Sequence, residues 1–251
     1  MHLNSIVGIP FESTHARHML PMPDHGSERP EQQRRARLFT IRAADSAGQR
    51  SSASILVNRM YAWRGYKNAE LPKDGGDRIT LVATDHDTTI GTIMIGFDGP
   101  EGLLVDDLFS DRANEFRGQG VMLCEFIKLA IDKVVRSKRV LASLFHVAFI
   151  YAHEVKGFDK ILIEVNPRHV RFYERMLGFE VLESARLNRR VNAPAVLLGL
   201  DLNYVHERIA EMGRRAPDSE VEGTERSLYP YCFSAHEEAG IAGRLRVNAA
   251  S

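Results

Sequence analysis

Between Lys160 and Phe179 the pattern of apolar and polar positions changes period within twenty residues. Ile161, Leu162, Ile163 and Val165 form a short apolar run interrupted only by Glu164. That pattern suits a mostly buried strand. Asn166-Pro167 ends it, because proline has no N–H for a ladder and restricts the residue before it. From His169 onward Val170, Tyr173, Met176 and Leu177 recur at helical spacing. Gly178 can then supply a left-handed cap before Phe179 opens the next strand. The stretch predicts a β-α-β unit.

The same test applied along the chain places the other elements. Arg37 to Ala44 reads as a strand, and Ile55, Leu56, Met60 and Trp63 give an apolar face to a helix over 46–64 that stops at Gly65. Leu71 to Gly76 is loop. Ile79 to Ala83 and Ile90 to Phe97 form a hairpin turning at Asp85-His86-Asp87. Val121 to Asp132 admits two readings. Glu125, Lys128 and Asp132 can form one polar stripe of a helix, or the segment can be a central strand. Counting favours the strand, because 138–156 is by itself a strong helix ended by Gly157, and one crossover between successive strands is the economical arrangement. Phe179 to Leu182, extending towards Arg186, and Ala195 to Leu200 are further strands, and Tyr204 to Met212 is a short helix stopped by Gly213.

Residues 1–35 lack sustained periodicity and predict a mobile tail. A single α/β domain over 36–213 follows, with a central mixed, twisted sheet flanked by helices. Residues 214–226 are a charged linker, and Leu228 to Phe233 with a capping box at Ser234–Glu237 predicts a C-terminal piece that docks on the core.

Composition narrows the function classes. The 251 residues are 44% hydrophobic and 26% charged, enough for a full core. Thirty-three basic and thirty-three acidic residues cancel, which removes a whole-molecule case for nucleic-acid binding. No apolar run reaches the length of a transmembrane segment and the N-terminus does not read as a signal peptide, so the expected location is cytoplasmic. Cys124 and Cys232 form no CxxC or Cys/His cluster, and His146 and His153 stand without a HExxH arrangement, so no metal is expected.

Several phrases carry a resemblance. A strand ending at Asn166 leads into a helix with Tyr173 and then Gly178-Phe179, which resembles the end of the Gcn5-related N-acetyltransferase (GNAT) fold, with one residue more between Tyr and Gly-Phe than the commonest form. Cys124-Glu125-Phe126-Ile127-Lys128-Leu129 resembles the Glu-containing fourth strand of the autoinducer synthases and the N-acyl amino acid synthases. Lys128 stands where the lactone-forming enzymes usually carry Arg, which argues against a lactone product. MYAWRGY at 60–66, IGTIMIGFDGPEGL at 90–103, NPRHVRFYERMLGF at 166–179 and RVNAPAVLLGLDL at 190–202 complete an ordered set. Taken together, the chain resembles the long-chain N-acyl amino acid synthases from about Leu38 to Leu202.

The resemblance implies transfer of a fatty acyl group of about twelve to sixteen carbons from the phosphopantetheine thioester of an acyl carrier protein to the α-amine of an amino acid, with no permanently bound cofactor. An amino acid's amine is mostly protonated near neutral pH, so a base is needed. Glu125 is the candidate, against an ordinary ion pair with Lys128. Tyr173 matches the GNAT tyrosine that protonates a departing thiolate, against a plain core aromatic. His169 either polarises substrate or caps its helix. For the donor, Arg136, Ser137, Lys138 and Arg139 at a helix start offer N–H groups and positive charge, with Lys128 and Asn166 as further donor-site candidates. Leu141, Leu144, Phe145, Ala148 and Phe149 offer an apolar surface for an acyl tunnel, or else the helix is sandwiched in the core. The competing functions are an acetyl-CoA N-acetyltransferase, suggested by Arg117-Gly-Gln-Gly but opposed by Met122 at the third small position, and a non-catalytic module that binds acyl chains or a partner.

Overall fold

Residues 6–11, 37–66, 77–133, 135, 137–213 and 227–249 are described by the computed structural model of the chain. They form a sheet of eight strands in the order β1-β2-β3-β4-β5-β6-β8-β7. The strands are β1 (Val7–Phe11), β2 (Arg37–Ala43), β3 (Arg78–Asp85), β4 (Thr88–Phe97), β5 (Leu123–Ile131), β6 (Lys160–Val165), β7 (Glu180–Asn188) and β8 (Ala193–Asp201). The helices are α1 (Ala47–Ala62), α2 (Asp106–Gly118), α3 (Lys138–Phe149), α4 (Val170–Leu177), α5 (Leu202–Met212) and α6 (Ala235–Ala249), and α3 continues into a π-helical turn over Ile150–Val155. This is the mixed sheet flanked by helices that the sequence predicts, and Val121 to Asp132 holds a strand.

Two departures from the expected elements have local causes. Val7–Phe11 lies inside the segment read as a tail, yet it pairs antiparallel with β2 from Val7↔Ile41 onward. Its partners lie 26 to 34 residues away in sequence, so local periodicity carries no sign of it. Helix α2 has no counterpart among the predicted elements. Its buried residues are Phe109 and Ala113, and the backbone at Phe109 departs from helical geometry, too little apolar repetition for a period to stand out.

Alternation along β5 sends Cys124 and Phe126 into the main core with α3, and Leu123 into a smaller cluster with Phe109 and Ala113 of α2. Two irregularities in β5 then shape the molecule. Its pairing with β6 is parallel, unlike every other pairing in the sheet, and runs only from Leu123↔Lys160 to Glu125↔Leu162. Beyond Glu125 the two strands part. On the other edge the register with β4 steps from Met94↔Ile127 to Thr92↔Ala130, so β5 holds one extra residue. Lys128, at φ 53, sits in this bulge.

The C-terminal segment packs on the same face as α3. Tyr229 Oη donates to the Leu177 carbonyl at 2.5 Å and Leu228 N–H to that of Met176 at 2.9 Å. Ser234 and Glu237 form a reciprocal cap, with Ser234 N–H donating to Glu237 Oε2 at 2.9 Å and Glu237 N–H to Ser234 Oγ at 3.4 Å. Arg244 Nε donates to the Ile6 carbonyl at 2.6 Å, so α6 reaches the segment leading into β1.

Candidate active site

A cleft of about 540 Å³ opens where β5 and β6 diverge. It is lined from β5 by Glu125 to Leu129, from β6 by Ile163 to Val165, and from the junction after β6 by Asn166, His169 and Tyr173. The end of α1 adds Tyr61, Arg64 and Tyr66, and the β7–β8 turn adds Asn188, Arg190 and Val191. Parting strands expose backbone and side chains at the middle of a sheet, where a ligand can reach groups that are otherwise inside.

Glu125 is completely buried from bulk solvent. It fits because Gly96 on the facing strand has no side chain: a Cβ there would lie 2.8 Å from both Glu125 Cγ and Oε1. The N–H groups of Leu104 and Val105 donate to its two carboxylate oxygens at 2.9 and 3.2 Å. Burial disfavours the charged form more than these bonds favour it, and the pKa is pushed up to about 7. A carboxylate in that range can both take and return a proton near neutrality. Its oxygens are held by backbone N–H groups, not by the ion pair with Lys128 weighed above. Lys128 Nζ lies 5.7 Å from the centroid of the Tyr61 ring.

A second carboxylate stands nearby. Glu164 is engaged by Asn188 Nδ2 and by Arg190 Nη2, the latter at 3.0 and 3.1 Å. Burial raises its pKa as well, against the opposing charge of Arg190. Glu164 is the one charged residue inside an otherwise apolar strand, and that is the signal in the sequence that marks it.

The aromatic part of the cleft is set by α1 and α4. Burial raises the Tyr173 hydroxyl to about 12, and that of Tyr61 further still. Both therefore keep their protons at neutral pH. The ring of Tyr173 meets those of Phe172 and Phe179 edge-on, at 5.3 and 5.6 Å. His169 makes no side-chain cap to α4. That helix is entered through a 3-10 turn at Pro167–His169, capped by Asn166, which accepts from Arg168 N–H at 3.3 Å. Arg168 Nε donates to His169 Nε2 at 3.2 Å. Burial first, then Arg64 and Arg168, lower the imidazole pKa, so the ring is neutral with its remaining proton on Nδ1.

Five of the predicted site residues thus meet in one cleft: Glu125, Lys128, Asn166, His169 and Tyr173. Ser137, Lys138 and Arg139 stand at the start of α3, outside that lining, and Arg136 lies outside the described residues. The tunnel assignment is corrected. Leu144, Phe145, Ala148 and Phe149 are buried in the main core with half-buried Leu141 against it, and none of the five lines the cleft. Leu144 sits over Gly91 so closely that a Cβ there would come within 2.7 Å of it. The apolar wall is instead Phe126, Leu129, Ile163 and Val165. Arg117-Gly-Gln-Gly closes α2 and does not precede a helix, and its arginine forms paired bonds with Asp98 and Asp106 at 2.7 to 2.8 Å.

Comparison with known proteins places this architecture. The family model described as N-acyl amino acid synthase FeeM matches residues 52–201. Among solved structures, the chain is similar to FeeM, an N-acyl amino acid synthase from uncultured soil microbes, at 27% identity and a TM-score of 0.61 over 67% of this chain and 94% of that one. Escherichia coli ElaA is matched at 10% identity and a TM-score of 0.48, over 64% of this chain and 97% of that one. An acyl-CoA N-acyltransferase from Pseudomonas aeruginosa is matched at 12% and 0.45 over the same shares. No curated protein sequence matches the chain.

Proposed function

We propose, from the premise that the chain belongs to the FeeM family of N-acyl amino acid synthases and is a GNAT-fold acyltransferase, that it moves a long-chain fatty acyl group from the phosphopantetheine thioester of an acyl carrier protein to the α-amine of an amino acid. The observation that carries this reading is the cleft itself, in which a buried carboxylate titrating near 7 and a protonated tyrosine share a space with an apolar wall.

The acceptor arrives as an ammonium. Glu125 takes a proton, directly or through water, and the freed amine lone pair attacks the thioester carbonyl carbon. A tetrahedral oxyanion forms, its C–S bond breaks, and the departing sulfur takes a proton from the Tyr173 hydroxyl. The nitrogen gives up its second proton to restore the tyrosine. The amide and the free thiol leave, with no acyl-enzyme formed, and Glu125 gives the proton it took to solvent. General acid and base steps of this kind contribute typically ~10²–10⁴-fold each.

Phe126, Leu129, Ile163 and Val165 offer an acyl chain apolar contact, and each buried methylene contributes roughly 0.8 kcal/mol before packing losses. A preference of ~10²-fold for long chains over acetyl needs only ~2.7 kcal/mol. The basic start of α3, with Ser137, Lys138 and Arg139, suits the donor's phosphate and an acidic carrier, through an association that weakens with salt. The acetyl-CoA reading loses its main support, because Arg117 is occupied by two aspartates.

The test is product identification by mass spectrometry. Purified protein is given amino acids with dodecanoyl carrier protein, dodecanoyl-CoA or acetyl-CoA. Formation of N-dodecanoyl amino acids with little N-acetyl product is expected. A preference for acetyl-CoA would replace this reading with the acetyltransferase.

A further inference from the structure

We infer that Arg64 receives the α-carboxylate of the acceptor amino acid, in the part of the cleft bounded by Tyr61, Tyr66 and His169, and so restricts the acceptor to molecules carrying a free carboxylate. The inference rests on the acyl transfer to an amino acid proposed above.

A charge inventory of the cleft leads to it. Three cationic side chains line it: Arg64, Lys128 and Arg190. Arg190 is committed, with Glu164 at 3.0 Å and Asp107 at 3.2 Å. Lys128 lies over the Tyr61 ring at 5.7 Å. The Arg64 guanidinium makes no ion pair or hydrogen bond among the described residues. Arg64 is exposed at the cleft, and its charge acts on Tyr61, Tyr173 and His169, which line the same cleft. None of those carries negative charge at neutral pH, so among the described residues nothing beside this guanidinium competes with a carboxylate that a ligand brings.

Its backbone is fixed for such a task. Arg64 N–H donates to Tyr61 O at 2.9 Å, Gly65 N–H to Ala62 O at 2.9 Å, and Tyr66 N–H to Tyr61 O at 3.1 Å. Gly65 takes a left-handed conformation that lets the turn close. The Tyr61 and Tyr66 rings lie 5.8 Å apart, and Arg168 sits 5.8 Å from the Tyr66 ring centroid. The turn after α1 is thereby tied to the junction that carries His169 and leads into α4.

An amino acid needs two opposite environments, a proton acceptor for its ammonium and a cation for its carboxylate. Glu125 supplies the first, and Arg64 supplies the second in the same cleft. A guanidinium also presents parallel N–H groups that match both oxygens of a carboxylate. An amine lacking the carboxylate would leave Arg64 solvated and gain nothing from it.

The experiment uses dodecanoyl carrier protein and dodecanoyl-CoA as donors with two acceptor pools, the common α-amino acids and their α-carboxamides, and reads N-dodecanoyl products by mass spectrometry for wild type, Arg64→Gln and Arg64→Lys. Wild type should favour the acids. In Arg64→Gln, kcat/KM for the acids should fall by about 10- to 100-fold, mainly through KM, the range expected for losing a charge-assisted hydrogen-bonded contact. Rates with the carboxamides should change by no more than about twofold, and Arg64→Lys should recover part of the loss. Comparing the acid-to-amide ratio between enzyme forms cancels the lower basicity of the amide's amine. An unchanged ratio in Arg64→Gln, or a wild type that uses both pools equally, overturns the role of Arg64 while leaving acyl transfer intact. A wild type that acylates neither pool with any donor overturns the acyl-transfer reading and this inference with it.

Discussion

Glu125 and His146 are both 0% exposed, one on β5 beside α2 and the other on α3 beneath the C-terminal segment. Burial moves the two in opposite directions, raising the carboxyl to about 7 and lowering the imidazole below its usual value. Their surroundings differ more than their exposure does. His146 Nδ1 accepts from Phe233 N–H at 2.9 Å, its ring stacks on Phe233 at 5.1 Å, and Nε2 lies 3.3 Å from Glu238 without hydrogen-bond alignment. Protein closes it in. Glu125 borders the cleft. Desolvation alone therefore does not mark a catalytic group, and the parting of β5 from β6 separates a reagent from a structural tie.

The comparison breaks most sharply at turnover. Glu125→Gln keeps size and one of the two acceptor oxygens that Leu104 and Val105 N–H use but removes proton acceptance, so kcat with a long-chain donor should fall by ~10²–10⁴-fold. Thermal unfolding should show a cooperative fold, because relief of the buried charge offsets the one backbone N–H that loses its acceptor. Full activity in this variant would return Glu125 to a purely architectural role.

Tyr173→Phe should slow the reaction by ~10²-fold, if the hydroxyl protonates the leaving sulfur. The control is the donor. Thioesters of more acidic thiols, whose thiolates leave without help, should recover much of the rate, and an equal deficit with every thiol would assign Tyr173 to packing.

On the other side of the sheet the effect should be on stability alone. His146→Ala removes a ring from the main core and leaves the Phe233 N–H without its acceptor, a loss of roughly 2–4 kcal/mol. Denaturant unfolding measures it, and kcat per folded molecule should not move. A large kcat change would connect the C-terminal segment to the chemistry and erase the contrast with Glu125.

How far the sequence discloses these two regions depends on where each residue's partners lie. The β6–α4 junction was legible because its punctuation is local: Asn166-Pro167 ends a strand, and Gly178 adopts the left-handed conformation expected of it. The strand at β5 followed from counting elements. The bulge at Lys128 did not, since it exists only relative to β4. Helix α3 misled as a tunnel because an apolar surface all round a helix has two explanations. Here it packs on β2, β3 and β4 on one side and meets the C-terminal segment on another, so its apolar residues are covered by the chain itself. The cleft's polar pairs join residues far apart in sequence, such as Glu164 with Arg190 and Asn188, and only the fold brings them together.

The smallest expected effect is the pH dependence of stability, and it separates the two buried groups by sign. For Glu125 the folded pKa, about 7, exceeds its ordinary 4.5, so between those values the folded state holds a proton that the unfolded state has released. Its contribution to stability accordingly falls as pH rises through that window, by at most about 3 kcal/mol. His146 has a folded pKa below the ordinary 6.5. Below pH 6.5 the unfolded chain takes up a proton that the folded ring refuses, so this group's contribution falls as pH drops. In wild type the two slopes oppose each other where their windows overlap, and the net change there is smaller than the larger of the two. Glu125→Gln removes one slope, so its stability relative to wild type should grow from pH 4.5 to 7 and then level off. His146→Gln removes the other, and its stability relative to wild type should improve only on acidification. Urea unfolding at a series of pH values measures both. Parallel curves for wild type and Glu125→Gln across the window would mean that Glu125 titrates at its ordinary value, which would also remove it as a base poised near neutrality.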